Sequence, residues 1–270
     1  MQRAVERGQE RKEALPMPRV GIDEKAFAKG HKYVTLLYEI DNSTVQAIAV
    51  GRDIHAAKAC FSQLSDVQIN AIEAISMDMS ASYVNAAKET IPLAEEKIVH
   101  DRFHVMQLAS KAVDQVWRAE HKELSAEGDM TLARSRYIWL KGQENLTEKQ
   151  RLFFDEAYRA ELKTGKAWSY KEMLRDLWHH DDAAAATVYF QDWYQRVIHT
   201  NLTPLKKAAR TIKQRLANVV SYCTHGITNA VAEGVNSKIM SIKRRVGGFR
   251  NIENFQTAIF FYCGGLKLHP

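Results

Sequence analysis

The chain has 270 residues, with 38 Lys+Arg against 32 Asp+Glu and a formal charge of +6. At 26% charged and 46% hydrophobic residues it has the balance of a foldable globular chain, long enough for one large domain or a domain with a sizeable insertion. No apolar run approaches the roughly 18 residues of a membrane span, and the charged start MQRAVERGQERKEALP lacks the apolar core of a secretory signal.

Residues 1–18, closed by Pro16 and Pro18 and without apolar periodicity, read as a connecting segment. Strand signals follow. Arg19–Asp23 is short and apolar, and Tyr33–Ile40 is rich in β-branched and aromatic residues. The cluster Asp41-Asn42-Ser43-Thr44 is turn chemistry, which makes Val45–Val50 a hairpin partner. Asp53 can cap a helix to about Leu64, and Ala71–Met77 predicts a further strand ending at Asp78. A helix over Ser80–Thr90 and a short strand at Lys97–His100 complete this part. From Phe103 to about His225 the pattern is helical, with capping-box spacings at Thr147/Gln150 and Ser169/Glu172 and all five tryptophans. Two last helices, Thr228–Val246 and Asn251–Cys263, are split by Gly247-Gly248. The order predicts an α/β core, an all-helical block and a helix that returns to the core.

Cys60, Cys223 and Cys263 are odd in number and far apart, which argues against a disulfide framework and points to a reducing cytoplasm. The charge is unevenly spread. Residues 201–250 hold ten basic side chains and one acid, Glu233, so this window carries +9 and the rest of the chain −3. Two acids, Asp23 and Asp78, stand at predicted strand ends; on parallel neighbouring strands about 4.8 Å apart they would converge on one cleft. Carboxylates that close repel unless a hard divalent cation takes them as ligands. At 100° per residue, Val231, Val235, Ile239, Ile242 and Val246 form an apolar stripe that leaves Glu233 on the opposite side with Asn236, Met240 and Arg244. A carboxylate aimed at phosphate gains nothing by itself; a metal bridging the two explains its placement among basic residues.

The strings GIDEKAFAKGHKYVTLLYEID, SMDMSASYVNAA, VHDRFHVMQ and AEGVNSKIMSIKRRVGGFRN, in that order, resemble the catalytic region of the ISL-three family of bacterial insertion-sequence transposases. The likeness runs from about Gly21 to the C-terminus. It implies a DDE enzyme with an RNase H-like mixed-sheet core, residues 19–104 and 226–270, interrupted by an all-helical insertion at 105–225. The family's acids match Asp23, Asp78 and Glu233, which the resemblance makes catalytic residues and ligands of two Mg²⁺ ions, with Mn²⁺ able to substitute. Lys238, Lys243, Arg244, Arg245 and Arg250 are the expected DNA-binding residues, and Asn236, Asp101 and His104 auxiliary ones. DNA is the implied partner, both transposon ends and target. A homodimer or higher assembly on DNA, no membrane, and a cytoplasmic, nucleoid-associated location also follow from the resemblance. Family members carry a zinc-binding segment and a helix-turn-helix before this region, so residues 1–18 are expected to be the tail of such a part. The alternative to an active transposase is a non-catalytic DNA-binding remnant; a two-carboxylate glycosidase explains the acids but not the basic window.

His100-Asp101-Arg102-Phe103-His104 has superficial zincin spacing, but that motif's base is Glu, and His100 closes a strand. Asp101 and His104 instead resemble a Cys/Asp-x-x-His motif of related transposases, although a helix-capping Asp and a packed His explain the pair equally well. His179-His180-Asp181-Asp182 reads as a helix junction with Asp182 as N-cap, since adjacent helical residues diverge by about 100°. The tryptophans read as anchors of the helical block; base stacking by one of them is the alternative.

Overall fold

The computed structural model describes residues 1–28, 30, 32–159, 161–228 and 230–269, with backbone alone at 157–159. Positions 29 and 31 of the first motif and 229 of the predicted Thr228–Val246 helix therefore lie outside the described residues. The elements run α1 (Gln2–Glu10), β1 (Arg19–Ala28), β2 (Lys32–Glu39), β3 (Thr44–Val50), α2 (Ile54–Phe61), α3 (Asp66–Ala71), β4 (Ala74–Met77), α4 (Ala81–Thr90), α5 (Ala94–Lys97) and β5 (Ile98–His100). Helices follow: α6 (Arg102–Ala126), α7 (Glu148–Arg159), α8 (Lys163–Arg175), α9 (Ala183–Ile198), α10 (Thr203–Lys213), α11 (Leu216–Val220), α12 (Tyr222–His225), α13 (Ala230–Arg245) and α14 (Ile252–Cys263). The chain divides into a sheet-bearing unit, residues 1–101 with 225–270, and a helical unit, residues 102–224.

The sheet order is β3-β2-β1-β4-β5. β1 pairs antiparallel with β2, and β2 with β3, whereas β1 pairs parallel with β4, and β4 with β5. The mixed-sheet α/β class expected from the sequence is the observed one. Both faces are covered, which is why β2 reads as a nearly continuous apolar run and not as an alternation. Val20, Ile22, Leu37, Ile75, Met77 and Ile98 form one core with Ala57, Phe61, Tyr83 and Ala87 of the helices between the strands. Val34, Leu36, Tyr38 and Val45 form the other with Ala232, Val235 and Ile239 of α13 and Phe255 and Ile259 of α14.

Local chemistry sets most boundaries. The Asp53 side chain accepts from the Ala56 amide and starts α2. Thr147 and Gln150 form the expected reciprocal cap of α7, and Asp182 caps α9 through the Ala185 amide. Gly247 and Gly248 both have positive φ, 66° and 96°, and turn the chain between α13 and α14.

Other boundaries differ from the sequence reading. β1 runs on to Ala28 because residues 24–28 pair with β2. The strand predicted over Ala71–Met77 starts at Ala74, since a capping box of Ser65 and Gln68 starts α3 just before it. Ser169 and Glu172 make no box: Ser169 lies inside α8 and its hydroxyl donates to the Gly165 carbonyl four residues back. Residues 1–18, expected to have nothing to bury, contain α1, whose Val5 and Gly8 are buried. A Cβ on Gly8 would sit 2.9 Å from Leu266 Cβ, so glycine permits α1 to lie against the chain beyond α14. Lys12 Nζ donates to the Gly264 carbonyl at 3.0 Å and Arg11 to that of His269 at 2.8 Å.

In the helical unit all five indole N–H groups are satisfied internally. Trp117 and Trp139 donate to the Ser135 hydroxyl, and Trp168, Trp178 and Trp193 to the carbonyls of Lys141, Val219 and Tyr170. Packing is thus the observed use of these side chains.

Candidate catalytic site

Parallel strands carry the first two acids. β1 and β4 are neighbours paired Arg19↔Ala74, Val20↔Ile75 and Gly21↔Ser76; Asp23 follows two residues on within β1, Asp78 follows just past the end of β4, and both act on the Glu24 carboxyl. Strand alternation turns Asp23 to the face covered by α13 and α14, opposite to Ile22, while Asp78 stands in the turn just past β4. Asp78 Oδ1 accepts from the Ser80 amide at 2.8 Å, which holds its carboxylate at the turn into α4. Asp23 Oδ1 accepts from the Glu24 amide at 2.8 Å, and its Oδ2 from Asn236 Nδ2 at 2.9 Å.

Asn236 is on α13, which lies across β1. Its Oδ1 accepts a long hydrogen bond, 3.4 Å, from the buried Tyr38 hydroxyl. Further along the helix, Lys243 Nζ donates to the Ala26 carbonyl at 3.2 Å. These ties turn α13 relative to the stripe read from the sequence. Ala232, Val235 and Ile239 are the buried residues, Val246 is 55% exposed, and Asn236 faces the sheet instead of the outer side. Glu233 is exposed, three residues before Asn236 and so on an adjoining strip of the helix surface. Among the described residues, no three His, Cys, Asp or Glu side chains stand close enough together to hold one metal ion.

A fourth acid joins the neighbourhood. Burial raises the Glu24 carboxyl above its ordinary range, and Asp78 and Asp23 push it the same way, while Arg52 and a hydrogen bond from Tyr83 oppose. Tyr83 reaches Glu24 Oε2 at 3.4 Å and the buried Thr35 hydroxyl at 3.2 Å. Alternation puts Glu24 on the other sheet face from Asp23. Sequence reasoning passed over it, although an acid directly after a strand Asp was the available signal. Burial also pushes the Tyr38 hydroxyl well up, with Asp23 adding to the effect, so this phenol stays protonated. Lys25 is pulled down by burial, against the attraction of Asp23.

The remaining sequence candidates are spread wider. Lys238, Arg244, Arg245 and Arg250 are exposed. Asp101 is buried after β5, its amide donating to the Met77 carbonyl at 3.0 Å, so it is tied to the strand that leads to Asp78. His104 belongs to the helical unit, where its ring meets that of Phe103 edge-on at 5.5 Å. Cys60 is buried and its thiol is pushed up to about 12, which leaves it unreactive at neutral pH.

The model of ISL3-type DDE transposases, described as Transposase, matches residues 20–259. The chain belongs to this transposase family. The transposase of insertion sequence element IS1001 from Bordetella parapertussis is 28% identical over 239 residues, covering 87% of this chain and 58% of that protein. The transposase of IS1557 from Mycobacterium tuberculosis is 24% identical over 258 residues, covering 86% and 57%. The chain thus spans less than three-fifths of the length of these relatives. Asp23, Asp78, Asn236 and Glu233 all fall inside the stretch that the transposase family shares. Among the described residues, no helix is long and apolar enough to cross a membrane.

Proposed function

We propose that this chain is the catalytic region of a DDE transposase. It would cleave DNA at transposon ends and join them to a target, with Asp23, Asp78 and Glu233 as catalytic residues. What supports the reading is that Asp23, on β1, and Asp78, just past its parallel neighbour β4, both act on the Glu24 carboxyl, and that Asn236, three residues after Glu233 on α13, bonds Asp23. The strand order, two antiparallel and two parallel pairings with helices on both faces, supports an RNase H-like core formed by residues 19–104 and 226–270 around a helical insertion at 105–225.

The donor chemistry fits a hard divalent cation. Carboxylate oxygens are the ligands Mg²⁺ prefers, and the upward push that Asp23 and Asp78 exert on Glu24 marks an accumulation of negative charge that a cation relieves. Asp23 would be shared between two Mg²⁺ or Mn²⁺ ions, with Asp78 and Glu233 each completing one set. When bound, such ions activate the attacking hydroxyl and stabilise the leaving oxygen of an in-line displacement at phosphorus. The chain's own part is to hold these oxygens at fixed positions. Strands β1 and β4 set the two aspartates, the Ser80 amide orients Asp78, and Asn236 orients Asp23. Lys238, Lys243, Arg244, Arg245 and Arg250, all near or after Glu233 on the chain, would neutralise phosphates, with Asp101 and His104 in supporting roles. Transposon ends and target DNA are the partners of this reading, and a dimer or larger assembly would pair two ends.

The test is cleavage of a labelled transposon-end duplex in Mg²⁺, Mn²⁺ or EDTA. The chain is expected to nick only with metal, and Asp78→Asn and Glu233→Gln are expected to bind the duplex without nicking it. Metal-dependent nicking retained by either variant would remove that residue from the site. DNA binding without nicking by the unaltered chain would make it a non-catalytic remnant.

A further inference from the structure

Asn236 joins two strands and a helix through one side chain. Asp23 can only accept, so the amide must turn its NH₂ toward Oδ2, which leaves its oxygen for the Tyr38 hydroxyl. Oδ1 of the same carboxylate is taken by the Glu24 amide, so both Asp23 oxygens have a fixed donor. The second tie, Lys243 to the Ala26 carbonyl, lies seven residues further along α13. Seven helical residues rise about 10.5 Å, and the three strand residues from Asp23 to Ala26 span about 10 Å. Helix and strand therefore run side by side between the two ties, and the rotation of α13 is set at both ends. Glu233 is one turn from the first tie.

We propose that Asn236 is a positioning residue: it fixes the direction of the Asp23 carboxylate and, by holding α13 to β1, the approach of Glu233. The proposal rests on the metal-binding reading of Asp23 above. An amide at this point is a poor choice for packing alone. It lies between Val235 and Ile239 on the side toward the sheet, where an aliphatic side chain would avoid the loss of hydration. Its two partners explain its presence. Tyr38 has no exposure, and its hydroxyl points from the core toward the amide, so the phenol steadies Asn236 as Asn236 steadies Asp23. In metal sites generally, groups that orient a ligand matter almost as much as the ligand, and their removal weakens metal binding by about 10–100-fold.

The experiment measures Mn²⁺ binding to the whole chain by titration calorimetry, alongside thermal melts without metal. Asn236→Leu keeps the branched shape and the number of heavy atoms, and removes both hydrogen bonds. It is expected to weaken Mn²⁺ binding by about 10-fold or more, with a melting temperature close to that of the parent. Tyr38→Phe, which removes one hydroxyl, is expected to weaken binding by a smaller factor, and to add nothing in the Asn236→Leu background. That lack of additivity is the mark of a relay; two independent packing defects would add. If Asn236→Leu binds Mn²⁺ like the parent while Asp23→Asn does not, Asn236 is a packing residue and the positioning role is overturned, with the metal reading intact. If the parent binds Mn²⁺ no better than Asp23→Asn, the metal reading falls and the proposal with it. Should Asn236→Leu fail to fold, Tyr38→Phe carries the test, and an unchanged affinity in it overturns the relay.

Discussion

At Asp114 a carboxylate is gripped by two arginines. Arg136 donates from Nε at 2.6 Å and from Nη2 at 3.1 Å, and Arg118 from one helical turn away at 2.8 Å. The Arg136 hydrogen bond leads in holding the Asp114 carboxyl below its ordinary 3.8. Glu24 is in the reverse situation, raised by burial and by two other acids. The first is a structural ion pair and the second a half-buried acid on the sheet face opposite Asp23, although both are acids near a cation. Linkage separates them. A depressed carboxyl binds fewer protons folded than unfolded, so its stabilisation is complete above about pH 4 and is lost as pH falls through the folded value. Asp114→Asn should therefore lower the melting temperature at pH 7, and the gap to the parent should close as melts are repeated down to pH 2. A gap that stays constant would mean that the variant loses packing and not charge pairing. The effect is expected to be small, because Arg136 is solvated and its pairing is screened.

Among the elements, α8 has an N-terminus capped from far away. Its N-cap residue, Leu162, supplies no side-chain bond. Glu120 of α6, buried, accepts from the Lys163 amide and from the amide and hydroxyl of Thr164, all at 2.6–2.7 Å. Its charge also suits the positive end of the helix. Glu120→Gln points an NH₂ at one of two backbone amides that can only donate, and should cost about 2 kcal/mol, read as a lower midpoint in urea with an unchanged slope. A midpoint equal to the parent's would show that the carboxylate is dispensable. This cap was not legible in the sequence, because its two halves are over forty residues apart. Caps within one turn were legible at Asp53, Thr147 and Asp182. The Ser169/Glu172 spacing misled because a capping box needs a non-helical first residue, and nothing in four letters tells whether the chain is already helical there. The same limit governs the site. Local pattern placed Asp78 correctly at the end of a strand but ended β1 at Asp23, which lies mid-strand because residues 24–28 pair with β2; the parallel pairing of β1 and β4 was beyond local pattern. The turned face of α13 depends on Tyr38 and Asp23, about two hundred residues away, so a stripe of valines and isoleucines alone put Asn236 on the wrong side.

For the whole molecule, the basic window divides between the two units. Lys206, Lys207, Arg210, Lys213 and Arg215 belong to the helical unit, and Lys238, Lys243, Arg244, Arg245 and Arg250 to the sheet-bearing one. On α10 the buried residues are Leu205, Ala208, Ala209 and Ile212, and Lys207, Arg210 and Lys213 form an exposed ridge at helical spacing. If about six of these cations meet phosphates, log K against log salt should slope near −5. Replacing Lys207, Arg210 and Lys213 by Ala, and separately Lys238, Arg244 and Arg245, discriminates the units. Removing one phosphate-bound cation makes the slope shallower by about one, so each triple variant should bring it to roughly −2. If one triple variant leaves the slope unchanged, its unit stays off the DNA. If the unaltered chain already gives a nearly flat plot, the window is a solvated surface, and Glu233 is without the phosphate surroundings that made its single negative charge informative.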